Sequence, residues 1–399
     1  MTTKNNIPVG YKDSAVGIIP QEWEVKFFKD VCTFLNGRAY KQEELLSQGK
    51  YPVLRVGNFF TNTNWYYSDL ELDKDKYAVE GDLLYAWSAS FGPRFWNGEK
   101  VIYHYHIWKV VISSIIDKLF LYDYLEMDAR KLYNQIQGGT MAHITKGDME
   151  QRYIPVPPME EQRKIAEILG VWDEAIEKQS RLIEKLELRK RALMQRLLTG
   201  RTRLSNFTEP VSYIKLKDFI TESSERNTSK IYNNVLSVTN SKGFINQAEQ
   251  FDREVASNNT ANYKLVRRGQ FAYNPSRVNV GSLDLLRTYE YGLLSPMYVV
   301  FETKPTMNSI FLYYQLKSSW FIGHIPMYVQ GSVRDSLSFD GLENMKFWIP
   351  SLPEQEAIAE VLTAADNEIT THRKKLEALR LQKRGLMQQL LTGKTRVKI

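Results

Sequence analysis

The chain has 399 residues, 43% of them apolar and 12% aromatic, a composition that suits two or three folded domains and argues against wholesale disorder. Fifty-three Lys and Arg against 46 Asp and Glu leave a net charge of +7, which is compatible with nucleic-acid binding but not diagnostic of it. One cysteine, Cys32, excludes an intrachain disulfide and a multi-cysteine metal cage, and no apolar run approaches the ~18 residues of a membrane span.

The amino terminus, Met1 to Tyr11, is polar and lacks an apolar signal core, so a cytoplasmic protein is expected. A first globular segment spans 1–157, with 1–22 as an extension. Its short β-rich runs, Val101–Tyr105 and Trp108–Ile112 among them, are punctuated by Gly and Asn and predict a mixed α/β domain. Residues 158–203 predict a long helix. Its apolar positions Ile165, Leu169, Trp172, Ile176, Ile183, Leu186, Leu193 and Leu197 fall on steps of three and four, a heptad pattern that marks a coiled-coil seam. Pro157-Pro158 sit where a helix start tolerates proline, and Gly200 sits where a helix should stop. A second globular segment, 204–350, includes the β-rich run Met297–Phe301. It leads to a second long helix in 351–399, with seam residues Ile358, Leu362, Ala365, Ile369, Leu376, Leu379, Leu386 and Leu390.

The two helical stretches are copies of one another. Val156-Pro157, Glu161-Gln162, Ile165-Ala166-Glu167, Asp173 and Leu197-Leu198-Thr199-Gly200 recur about 193 residues later as Ile349-Pro350, Glu354-Gln355, Ile358-Ala359-Glu360, Asp366 and Leu390-Leu391-Thr392-Gly393. Close to half of about 47 positions are identical without a gap, so the chain is a tandem duplication. Polar residues interrupt both seams at matching places, Gln179 with His372 and Lys190 with Lys383, and such residues set register at some cost in stability.

The expected fold class is therefore mixed α+β: two globular α/β domains separated by two long helices that form an intramolecular antiparallel coiled coil with a pseudo-twofold repeat. About 36 helical residues would span ~54 Å and could act as a ruler between two domains. The plainer alternative is that each helix lines a separate globular core. Outside the helices the halves diverge over a shared skeleton: Phe28-Lys29-Asp30 recurs as Leu216-Lys217-Asp218, Gly81–Tyr85 as Gly269–Tyr273, and Gln137–Thr140 as Gln330–Val333. A shared frame with different side chains suits two readers of different DNA words.

The order of variable domain, long helix, variable domain and long helix resembles the specificity subunits of type I restriction-modification systems over the whole chain. The junctions Ile154-Pro-Val-Pro-Pro-Met-Glu-Glu-Gln and Ile349-Pro-Ser-Leu-Pro-Glu-Gln, the helix ends Leu-Met-Gln-Arg-Leu-Leu-Thr-Gly and Leu-Met-Gln-Gln-Leu-Leu-Thr-Gly, and the opening Gly10-Tyr11-Lys12-Asp13-Ser14 through Gly17-Ile18-Ile19-Pro20-Gln21-Glu22-Trp23 carry the resemblance. It implies two target recognition domains reading a split double-stranded DNA site, two methyltransferase subunits held by the helices, and restriction and motor subunits that join them. S-adenosylmethionine, ATP and Mg would belong to those partners, and this chain would carry no cofactor, no catalysis and no membrane contact. The competing reading is a coiled-coil adaptor that binds proteins and has no DNA specificity.

Reading DNA needs Arg or Lys for guanine, Asn or Gln for adenine, and hydroxyls for phosphates. Candidates in the first domain are Arg38, Tyr40, Lys41, Ser88, Ser90, Arg94, Gly139, Thr140, His143, Thr145 and Lys146. The second domain offers Thr239, Asn240, Lys242, Asn274, Ser276, Arg277, Asn279, Ser332, Arg334 and Ser336. Each is set against the alternative of a solvated loop. His104 and His106, two apart on an expected strand, suit packing or a base contact better than a metal, which needs more ligands. Tyr273-Asn274-Pro275-Ser276 is only weakly similar to the Asn-Pro-Pro-aromatic loop of adenine methyltransferases and is read as a recognition loop. Walker, glycine-rich cofactor and hydrolytic triad patterns are missing from the sequence. The basic helix ends around Arg189-Lys190-Arg191, Arg196, Arg201 and Arg203, and around Lys383-Arg384, Lys394 and Arg396, suit DNA backbone, solvent or partner subunits alike.

Overall fold

A computed structural model describes residues 7–60, 62–88, 91–136, 144–210, 212–247, 260–329 and 336–399, with backbone alone for 134–136. The chain divides into two compact units, one of 1–180 with 375–399 and one of 181–374. The division falls within both long helices, so each unit holds a part of each.

In the first unit, β1 (Glu24–Phe27) pairs antiparallel with β10 (Tyr153–Val156), tying the start of the domain to the proline-rich junction. Between them lie β2 (Cys32–Asn36), β3 (Tyr51–Leu54), β4 (Tyr66–Ser68), β5 (Tyr77–Ala78), β6 (Leu83–Ala86), β7 (Gly92–Phe95), β8 (Val101–Tyr103) and β9 (Ile107–Ile112). One antiparallel sheet has the order β2-β9-β6-β7, and a second has the order β4-β3-β8-β5 with β3 and β8 parallel. Helix α1 (Lys118–Ile136) begins at Asp117, whose Oδ1 accepts from the backbone N–H groups of Leu119 and Phe120. Phe34, Tyr85, Trp108, Phe120 and Leu125 fill the core beneath it, with Cys32 buried among them.

The expected strand Val101–Tyr105 is shorter than its β-rich composition predicts. It ends at Tyr103 because Ile107 N–H donates to His104 O at 2.9 Å, closing a tight turn through Tyr105 and His106. Likewise Met297 lies outside its strand: Tyr298 N–H donates to Ser295 O at 3.0 Å, and the strand runs Val299–Thr303.

The second unit follows the same plan with shorter pieces. Strand β11 (Tyr213–Lys215) pairs with β20 (Lys346–Trp348). In between come β12 (Ile220–Ser223), β13 (Leu236–Thr239), β14 (Gly243–Asn246), β15 (Lys264–Arg267), β16 (Phe271–Tyr273), β17 (Leu283–Leu285), β18 (Tyr291–Leu294) and β19 (Val299–Thr303). The sheet order β12-β19-β16-β17 reproduces β2-β9-β6-β7, strand for strand. Helices α3 (Ser309–Leu316) and α4 (Ser319–His324) stand where α1 stands in the first unit, and Asn308 caps α3 as Asp117 caps α1.

The long helices are α2 (Met159–Leu197) and α5 (Leu352–Leu390), 39 residues each. They pair antiparallel. In the first unit Asp173 of α2 meets Lys383 of α5 at 2.7 Å, and in the second Lys190 of α2 meets Asp366 of α5 at 2.5 Å. Ile183, Leu186, Ile369 and Leu376 are buried along the pair, whereas Trp172, Ile176, Leu193, Leu379 and Leu386 are half-buried. The helix ends also serve the globular cores: Ile165 and Leu169 pack with Met387 and Leu390 in the first core, Ile358 and Leu362 with Leu197 and Leu198 in the second. The coiled coil and the core-lining helix are thus different stretches of the same element.

The repeated Glu-Gln junction explains how each helix holds its domain. Gln162, almost fully buried, accepts from Asp117 N–H at 2.7 Å and donates to Pro157 O at 2.8 Å. Gln355 does the same with Asn308 N–H at 2.8 Å and Pro350 O at 2.9 Å. One side chain therefore ties the long helix to both the cap of the domain helix and the proline hinge.

Candidate nucleic-acid interface

In the first unit the Tyr105-His106 turn is a meeting point. Arg38 forms an isolated bridge with His104, which brings the loop after β2 against the turn. Tyr40 stacks toward His104 at 6.3 Å, His104 and His106 lie 4.8 Å apart, and the Trp87 indole N–H donates to Tyr105 O at 2.7 Å. Burial, with His106 and Arg55 nearby, pushes the His104 imidazole down to about 4, so it stays neutral near pH 7. Burial also lowers His106. Two neutral imidazoles, an exposed Tyr105 and the half-buried Ser88 make a surface that donates and accepts hydrogen bonds and can stack. Among the described residues no group of three His, Cys, Asp or Glu could hold a metal.

The other first-domain candidates divide. Arg38 is engaged by Glu44 in a two-pronged ion pair at 2.6 and 3.0 Å, and Lys41, exposed, precedes that glutamate's turn. Thr145 caps the short helix Lys146–Glu150, accepting from Asp148 N–H at 3.1 Å, and Lys146 pairs with Glu150 at 3.5 Å. Arg94, on the edge strand β7, carries no ion pair among the described residues and lies 4.9 Å from the Phe60 ring. Ser90, Gly139, Thr140 and His143 lie outside the described residues, as do Ser332 and Arg334 in the second unit.

In the second unit the structure gathers three distant segments. The Thr239–Gly243 turn closes through Lys242 N–H to Thr239 Oγ1 at 3.2 Å. Asn274 Oδ1 accepts from Ser276 N–H at 3.1 Å and shapes the loop to Asn279. Gly281 (φ +91°) lies so close to Asn240 that a β-carbon would meet its side-chain oxygen, and Ser282 Oγ donates to Val238 O at 2.7 Å. Leu337 N–H donates to Pro275 O at 3.2 Å, which brings Ser336 to the same place. Lys242, Ser276, Arg277 and Asn279 are exposed there.

Residues outside the candidate set also reach these surfaces. Trp87 and Tyr105 come through the turn, where the Tyr-His-Tyr-His pattern was the available signal. Lys317 comes from the end of α3, and nothing in its local sequence marks it. Several basic residues at the helix ends turn inward instead: Arg203 and Arg396 hold buried glutamates, and Lys190 and Lys383 hold seam aspartates.

Two unlike polar surfaces on one repeated frame, each joined to a long helix, define a duplicated two-domain protein. A family model for the type I restriction modification DNA specificity domain matches twice, over residues 20–188 and 223–381. The chain belongs to the type I restriction-modification DNA specificity family, whose subunits select DNA sequence without catalysing the reaction. It is similar to the type I restriction enzyme MjaVIII specificity subunit of Methanocaldococcus jannaschii, at 26% identity over 95% of this chain and 94% of that one. Its fold is similar to the type I S subunit from M. genitalium, with a TM-score of 0.53, 16% identity and 98% of both chains covered. It is also similar to a chain solved to explain complex assembly and conformational transition of the type I R-M system, with a TM-score of 0.58, 14% identity and 94% and 99% coverage. Among the described residues no helix is long and apolar enough to cross a membrane.

Proposed function

We propose that this chain recognises a split double-stranded DNA target, one short word per globular domain, and directs adenine methylation or restriction by partner subunits. The observation that carries the reading is the pair of sheets with one strand order and unlike side chains around them: Tyr105-His106 with Arg94 in one domain, Asn240, Asn274 and Asn279 in the other. Segments 1–157 and 204–350 are the readers, and 158–203 and 351–399 the spacers. Lys41, Lys242 and Arg277, all exposed, supply phosphate and base contacts together with their neighbours, the half-buried Arg38 among them. Two methyltransferase subunits and the restriction and motor subunits are the partners, in the cytoplasm. They bring S-adenosylmethionine, ATP and Mg, since this chain's role is selection alone.

The test is co-expression with the methyltransferase of the same system and mapping of methylated adenines across the host genome. Two short words around a fixed gap are expected. Exchanging residues 20–157 for another such domain should change one word only, and inserting four residues in a long helix should change only the gap. A continuous motif would refute the two-reader scheme. Absence of both methylation and DNA binding at low salt would favour the protein adaptor.

A further inference from the structure

We infer that, in the two sheets of matching strand order, the groove between the edge strand (β7 or β17) and the helix packed on it is a DNA-contacting, specificity-determining site, with Arg94 as its cation in the first domain and Lys317 in the second. The inference rests on the function proposed above and assigns it to particular side chains. In the first unit β7 and α1 border a groove of about 330 Å³, lined by Phe60, Arg94, Tyr122, Arg130 and Tyr133 among others. In the second, the segment leading into β17 and the helices α3 and α4 border one of about 230 Å³, where Asn240, Asn279, Gly281, Lys317 and Ile322 meet.

The frame makes these the same place in two domains. Strands β7 and β17 hold the same position in sheets of the same order. Arg94 faces Leu84 across its ladder, and Asp284 faces Ala272 at the matching step. Counting from the glutamine-held caps Asp117 and Asn308, Glu126 and Lys317 fall on the same helical position. Strand and helix thus carry Arg94 and Glu126 in one domain, and Asp284 and Lys317 in the other. The charges are exchanged between the two walls. The surrounding side chains change too, from aromatic rings to carboxamides.

A site kept in position and altered in chemistry is what separates one word from another. Rings beside an arginine suit stacking on a base or sugar and a phosphate or guanine contact, whereas carboxamides beside a lysine suit an adenine edge and a phosphate. Among the described residues neither cation forms an ion pair: Arg94 lies over Phe60 at 4.9 Å and Lys317 near Tyr313 at 5.9 Å. Burial holds the Lys317 ammonium below its usual range, a cost that an incoming anionic or acceptor group offsets. Asn240 and Asn279 belong both to this groove and to the exposed loop cluster, so the groove is continuous with the surface already described.

The experiment uses the full chain bound to its methyltransferase subunits and duplexes carrying the motif found by methylation mapping, intact or with one word scrambled. Arg94→Ala and Tyr133→Ala should each weaken binding to the intact duplex about tenfold or more. They should change affinity by less than about twofold once one particular word is scrambled. Lys317→Ala and Asn279→Ala should behave in the same way with the other word. Asn279 is exposed in a loop, so its variant keeps the fold, and thermal unfolding verifies the rest. Folded variants that bind the intact duplex like wild type, or lose affinity equally on both scrambled duplexes, would overturn the inference. A wild-type complex that methylates no split motif would instead overturn the function on which it rests.

Discussion

Arg203, just past the end of α2, closes on Glu354 at the start of α5, with Nε 2.6 Å from Oε1 and Nη2 2.5 Å from Oε2. Glu354 is completely buried. In the first unit Arg396 holds the equally buried Glu161 at 2.6 and 2.9 Å, and the Trp23 indole N–H donates to the same carboxylate at 2.9 Å. Each helix end is thereby fastened to the start of its antiparallel neighbour.

Removing the arginine leaves a buried carboxylate without its counter-charge. Arg203→Ala and Arg396→Ala are each expected to cost about 3–5 kcal/mol in urea unfolding. A loss below about 1 kcal/mol would show that the pair is no more than a surface contact.

The glycines that end the helices have no freedom to change. Gly200 and Gly393 have φ of +68° and +70°; a β-carbon on Gly200 would press on the Trp348 ring at 3.0 Å, and one on Gly393 would collide with Pro20. Alanine at either position should cost about 1–3 kcal/mol. Thermal unfolding of Gly393→Ala at wild-type stability would contradict this.

Asp123 gives the fold a pH dependence. It is buried beside Lys383, and burial outweighs the lysine to push its pKa up to about 7. Folded protein then binds more protons than unfolded protein between the ordinary value of about 3.9 and that point, so this group's contribution to stability falls as pH rises through the window. Asp123→Asn should flatten that fall and gain on the order of 1–3 kcal/mol over wild type by about pH 8. Asp173 and Glu126 remain to pair with Lys383. Urea midpoints that decline in parallel for the two proteins would rule the effect out.

On DNA, Lys242 and Tyr105 should behave differently. Lys242 is exposed at a turn, so Lys242→Ala should weaken binding on all sequences and lower the salt slope by about 1. Tyr105→Ala removes a ring from the reading surface and should cost about 1–3 kcal/mol, with the salt slope unchanged. Titrations at several salt concentrations distinguish them, and an unchanged slope for Lys242→Ala would exclude a phosphate contact.

The duplication and the long helices were legible because a heptad pattern and a repeated junction are local signals. The roles of Glu161, Gln162, Glu354 and Gln355 were not, since each also binds a partner far along the chain. His104 and His106 read as strand residues because alternating aromatic and imidazole side chains look extended; the turn hydrogen bond from Ile107 to His104 is invisible in composition. Lys317 was missed for the same reason, its neighbours Asn240 and Asn279 being brought to it only by the sheet. Arg38 was legible as a basic residue in a loop, but not as one engaged by Glu44.

The two lysines buried or half-buried along the helix pair have a mechanical consequence. Lys383 sits among Asp173, Asp123 and Glu126, and Lys190 between Asp366 and the Tyr314 ring, whose hydroxyl donates to that same aspartate at 2.8 Å. An apolar seam alone would tolerate sliding by a turn or a heptad, since one leucine replaces another. Sliding by one turn, about 5.4 Å, would part each ammonium from the aspartate that it holds on the neighbouring helix. Within each unit the lysine thus acts as a key that sets the register of its own stretch of the helix pair.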